Sequence, residues 1–199
     1  MASSDGRVAR AERSREAVAA AVLSLLDEGN LRPTRQQVAD RAGVSLRLVH
    51  LHFREREALF AAAAALQNRR ISRGIRAVAQ DGPLAGRVRA FCRERAELLE
   101  AIAPVRRAAQ LEEPFSPQLQ QTMSAWRRLK REQVERVFAR ELGRRRGRAR
   151  AEVSAAAATA ASWSVWQELR GDQGLSVDEA RRVMERTLEA LLAPVGGRS

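Results

Sequence analysis

Apolar positions along the chain recur at helical spacing. After a basic arm from Ser3 to about Arg15, Val18, Val22, Leu25 and Leu26 share one helical face, and Gly29-Asn30 supplies a stop. Thr34 follows Pro33 and has Gln37 three residues on, the pattern of a capping box, so a short second helix runs to about Ala42. Gly43 suits the left-handed end of that helix, and Ser45 caps a third over Leu46 to His52. Arg54-Glu55-Arg56-Glu57 opens an Ala-rich helix from Ala58 to about Gln80, closed by Asp81-Gly82-Pro83. Further helices are predicted from Leu84 to about Ile102, Pro104 to Leu111 and Pro117 to about Leu142, with the prolines as breaks. A charged loop, Gly143 to Arg148, precedes a helix rich in small residues from Ala149 to about Arg170. After the turn Gly171 to Gly174, Ser176 and Glu179 make a second capping box. The last helix places Ala180, Val183, Met184, Thr187, Leu188, Leu191 and Leu192 on one broad stripe.

Composition sharpens this to an all-α fold: with no Tyr and only 4% aromatic residues, strands lack their preferred side chains. The single cysteine, Cys92, excludes an intramolecular disulfide and a Cys-based metal site. The first residues lack the apolar core of a signal peptide and no apolar run is long enough to span a bilayer, so a soluble cytoplasmic protein with no membrane association is expected. A net charge of +12 favours polyanions, but residues 61–151 carry the excess, twenty-one Lys and Arg against nine acids. Charge therefore does not locate the surface that would read a nucleic acid.

Pattern does. Two short helices joined by a Gly-containing turn have the geometry that lets the second enter a DNA major groove. Val38, Ala39, Ala42, Val44, Val49 and Phe53 are placed to bury against the first helix. That leaves Arg35, Gln36, Ser45, Leu46, Arg47, His50 and His52 as candidates for the DNA side.

The run Gln37-Val38-Ala39-Asp40-Arg41-Ala42-Gly43-Val44-Ser45, then His52-Phe53, then Arg56-Glu57-Ala58-Leu59, resembles the signature of the tetracycline-repressor (TetR) family. The resemblance covers about residues 10–62. His50 stands where Tyr is usual, Arg47-Leu48 replace a common Gly-Thr pair, and Arg56 replaces a Lys. It implies that Thr34 holds a phosphate through its amide and hydroxyl, that Ser45, Leu46 and Arg47 face the groove, and that His50 and Arg56 contact phosphate. Arg47 can bond bidentately to guanine O6 and N7, or contact phosphate alone. His50 has local packing as its alternative, and His52 the role of a packing partner to Phe53. Arg7, Arg10 and Arg13 either reach the minor groove or backbone or form a solvated arm. With two histidines, two residues apart and without Cys or acid in register, neither a metal nor a cofactor is expected.

The rest of the chain has no catalytic triad pattern, glycine-rich phosphate loop or recognisable carboxylate pair, so an enzyme is not expected. Its large side chains are concentrated: Phe91, Leu98 and Leu99, Phe115, Met123, Trp126 and Leu129, Trp163 and Trp166. The resemblance implies that helices over 84–102, 117–142 and 149–170 enclose an effector pocket. Phe91, Leu98, Met123, Trp126, Trp163 and Trp166 are its candidate lining, with Arg95, Arg127 and Gln167 for polar specificity. A helical core needs such aromatics in any case. The expected effector is a small lipophile, its charge left open by the arginines and by Glu94, Glu97 and Glu100.

Ala155 to Ser162 permits close helix approach and, with the final helix, resembles the pair that dimerises in the family. The expectation is thus a helix-turn-helix domain over 1–56 and a helical ligand-binding and dimerisation domain over 57–199. Such a homodimer would set two reading heads on a palindromic double-stranded operator as a ligand-responsive repressor, with the fourth helix, roughly Glu57 to Gln80, transmitting the ligand's preference. The alternative is a DNA-binding module whose C-terminal domain recruits a protein partner. The loop from Arg144 to Arg150 is either a second DNA contact or a solvated face.

Overall fold

All regular structure among the described residues is helical. The computed structural model describes residues 2–72, 78 and 80–194, and the side chains of these except at 2–5, 7, 72 and 118. The chain divides into two compact units, Met1–Gly74 with Ala101–Gln120, and Ile75–Glu100 with Gln121–Ser199.

The first unit holds α1 (Ala2–Asp27), α2 (Arg35–Ala42), α3 (Leu46–His52) and α4 (Arg56–Ser72). The predicted face of α1 is its buried face: Val18, Val22, Leu25 and Leu26 enclose a core with Val38, Ala39, Val49 and Phe53. Leu59, Ala63 and Leu66 of α4 complete that core, which is why α4 belongs with α1 to α3 and the unit extends past the expected division at 56/57. Two expectations change here. The basic arm is helical from Ala2, with Arg10 and Arg13 exposed on it, while the side chain of Arg7 lies outside the described residues. The fourth helix ends at Ser72; Val78 and Gln80 are not helical, and the rest of the stretch to Gln80 lies outside the described residues.

The bounds of α2 and α3 follow from their caps. Thr34 Oγ1 accepts from the Gln37 amide and Gln37 Oε1 accepts from the Thr34 amide. Gly43, at φ 65°, ends α2 in the left-handed conformation that costs a residue with a Cβ but not glycine. Ser45 Oγ then accepts from the Leu48 amide to start α3.

The second unit is built around the first turns of α5 (Leu84–Glu112), with most of α6 (Pro117–Val137), α7 (Ala139–Gly143), α8 (Gly147–Ala160), α9 (Trp163–Gln167) and α10 (Val177–Leu192). Its core gathers Val88, Phe91 and Leu99, Val134, Phe138 and Leu142, Ala157, Trp163 and Trp166, and Ala180, Met184, Leu188 and Leu192. Helix α10 packs on α8, and Ser176 with Glu179 forms the predicted capping box. Pro104 lies inside α5 instead of breaking it. It deprives the Glu100 carbonyl of a donor, at roughly 3 kcal/mol, which burial of Leu99, Ala103, Ala108 and Ala109 along the same helix offsets. Conversely, two predicted long helices are interrupted, at Phe138 and at Ala161-Ser162, where Ser162 Oγ accepts from the Val165 amide and starts α9 afresh. A wide π-type turn, Glu168–Asp172, follows.

Candidate functional site

Helix α3 turns one side to the core and the other to solvent. At 100° per residue, Val49 is its buried position, with Leu48 and His52 half-buried together on one flank of it. The outer arc consists of Leu46, Arg47, His50 and Leu51, all exposed. Arg47 and His50 have no hydrogen-bond or ion-pair partner among the described residues. Side-chain nitrogens with no internal partner on an exposed helix face are available to an external one.

The other predicted contacts are turned to internal neighbours, Arg56 only loosely, with its Nε and one Nη buried and without a hydrogen bond. The Thr34 amide and hydroxyl, the groups assigned to phosphate, are both engaged with Gln37 Oε1, at 2.8 and 3.2 Å. Gln36 donates to Asp40 Oδ1 at 2.7 Å, and Ser45 is the α3 cap. Arg35 folds across to the Arg54 carbonyl at 2.7 Å, tying α2 to the turn after α3, with its Nε buried and unpartnered. Arg56 points to Glu112, 3.9 Å away, which also takes Arg32 at 3.3 Å, and its guanidinium lies over the Phe60 ring. His52 faces inward, where its Nε2 lies 2.8 Å from Ser14 Oγ and its ring meets the edge of Phe53. Leu51, 72% exposed and not among the sequence candidates, shares the face of Arg47, from which it is spaced by four.

In the second unit, Phe91, Arg95, Trp163 and Trp166 are buried, and Leu98, Met123 and Gln167 are half-buried. Trp126 and Arg127 are exposed, with Arg127 donating to Ser124 Oγ at 3.0 Å on its own helix; the three-residue spacing of Met123 and Trp126 does not bury the tryptophan. Phe91 meets Phe138 edge to face at 5.3 Å, and the Arg95 guanidinium lies 4.8 Å from the Phe91 ring centre. Arg95 donates to the Ala161 carbonyl at 3.1 Å and to Gln133 Oε1 at 2.8 Å. Among the described residues no carboxylate pairs with it. Its cation rests on neutral acceptors, one of them at the C-terminal, partially negative end of α8. Burial lowers its pKa to about 10, so it stays charged at neutral pH.

One turn further along α5, Glu100 accepts from Trp166 Nε1 at 2.7 Å and from Arg170 at 3.1 Å, an arrangement that sequence spacing does not reveal because the partners lie 66 and 70 residues away. Gly171 lies so close to Gln167 that a Cβ there would be 2.5 Å from its amide nitrogen. Among the described residues no group of three or more His, Cys, Asp or Glu is placed to hold a metal, and no helix is long and apolar enough to cross a membrane. No family model, curated protein or solved structure matches this chain. The arrangement of its side chains therefore carries the functional argument.

Proposed function

We propose that the chain is a DNA-binding transcriptional regulator of the tetracycline-repressor type, a homodimer that binds a palindromic double-stranded operator and responds to a small lipophilic effector. The outer arc of α3 carries this reading: a short capped helix, braced by a core through Val49, presents Arg47 and His50 outward with no internal partner. Exposed Val183 and Thr187 on α10, together with exposed Ala155 and Thr159 on the α8 it packs against, support pairing with a second copy. Buried Phe91, with the Arg95 guanidinium 4.8 Å from its ring centre, supplies an apolar group beside a cation, which suits a lipophile with a polar end.

Gel shifts of the full chain on duplexes covering the DNA that flanks its own gene, at several salt concentrations, test the reading. A regulator binds one palindromic segment with affinity that falls steeply with salt, and Arg47→Ala loses preference for that segment while keeping salt-dependent binding. Equal binding to all duplexes, or none, overturns it. A second reading, recruitment of a protein partner by the C-terminal unit, draws support from exposed Trp126 and Leu129, three apart on α6. Tryptophan quenching by a panel of lipophilic acids and amines separates the two, since only effector binding quenches.

A further inference from the structure

Leu51 is the most exposed large apolar side chain on α1 to α4. An isolated surface leucine ordinarily needs no explanation. This one sits four residues beyond Arg47 on the arc that also holds Leu46 and His50, on a helix without a carboxylate. A face that sets the Arg47 cation beside separate apolar side chains complements a surface that is anionic and displays separate apolar groups. The major groove is such a surface, and the thymine C5 methyl is the apolar group its base edges display.

We propose that Leu51 reads a thymine methyl and is a specificity-determining residue of this protein; the inference rests on the DNA-binding reading above. Residues four apart on a helix have Cβ atoms roughly 5–6 Å apart, and successive base pairs rise about 3.4 Å. The thymine read by Leu51 therefore lies one or two steps from the base contacted by Arg47. Removing the methyl alone weakens binding roughly fourfold per half-site, the worth of one buried methyl-sized group.

The experiment starts from a pool of duplexes with a randomised central segment, from which the full-length wild-type chain and Leu51→Ala each select their sites. The wild type is expected to select half-sites with a thymine one or two steps from a guanine, and Leu51→Ala to keep the guanine and lose the preference for thymine. In the wild-type site, deoxyuridine in place of that thymine lowers affinity roughly fourfold, and the same change has no effect on Leu51→Ala. An unchanged selected sequence for Leu51→Ala, or indifference of the wild type to deoxyuridine at every thymine, overturns the proposal. The deoxyuridine arm needs no variant, so it decides the matter even if Leu51→Ala fails to fold. Selection of no sequence at all by the wild type removes the DNA-binding reading itself, an outcome distinct from a selected site that ignores the methyl.

Discussion

Arg87 and Glu141 are each 3% exposed and joined by a short hydrogen-bonded ion pair, with Arg87 also donating to the Val137 carbonyl at 2.8 Å. Burial by itself would raise the Glu141 carboxyl, but the hydrogen bond and charge of Arg87 outweigh it and hold the group below its ordinary value of 4.5. A carboxyl depressed in the folded state adds stability that is complete above its unfolded pKa and is lost as pH falls through the folded one. Glu141→Gln leaves Arg87 buried without a counter-charge, at a cost of roughly 3 kcal/mol near neutral pH. Urea unfolding at a series of pH values should show that deficit constant above about pH 5 and shrinking below pH 4.5, where the wild type loses its own advantage. A deficit that persists unchanged to low pH would mean that the pair contributes shape and not charge. Arg95 differs in kind: its partners are neutral, so no carboxylate makes its contribution depend on acid.

At the scale of elements, the caps decide how much of the fold could be read in advance. Both short helices α2 and α3 occupy the predicted residues because Thr34, Gly43 and Ser45 mark their ends through bonds made within four residues. Thr34→Ala removes the cap acceptor of α2 and should lower stability by about 1 kcal/mol in urea unfolding followed by far-UV circular dichroism. Because the capping box is reciprocal, adding Gln37→Ala should cost less than its effect alone; full additivity would show that the two bonds act independently. Where a boundary depends on distant packing, the sequence is silent. Pro104 reads as a break, yet burial on both sides of it keeps α5 continuous. The interruption at Ala161-Ser162 has only a serine as local signal, with Val165 and not Glu or Gln three residues on. The candidate contacts divide the same way. Outward-facing Arg47 and His50 follow from helical periodicity, whereas the turning of Arg35 to Arg54 and of Arg56 to Glu112 depends on neighbours that only the fold brings near.

For the whole molecule, the two units carry separate cores and separate reporters. Trp126, Trp163, Trp166 and Cys92 all belong to the second unit, while α1 to α4, which contribute much of the helical signal, belong to the first. Cys92 is fully buried, and burial pushes its thiol well above the ordinary range, so it reacts with an alkylating reagent only when its unit opens. A unit with its own core can open as a cooperative block. Leu26→Ala, at a position 2% exposed in the first core, should cost roughly 2–5 kcal/mol there. The expected result is an early loss of far-UV signal in urea, with the rate of Cys92 alkylation and the tryptophan transition left at their wild-type values. If thiol labelling accelerates in step with the loss of helix, the chain unfolds as one cooperative body. In that case α5, which gives its first turns to one core and its last to the other, is one of the covalent elements through which destabilising the first unit is felt at Phe91 and Arg95. The same coupling would let a change at Phe91 and Arg95 be felt in the first core along α5, whereas independent opening would leave the two cores uncoupled.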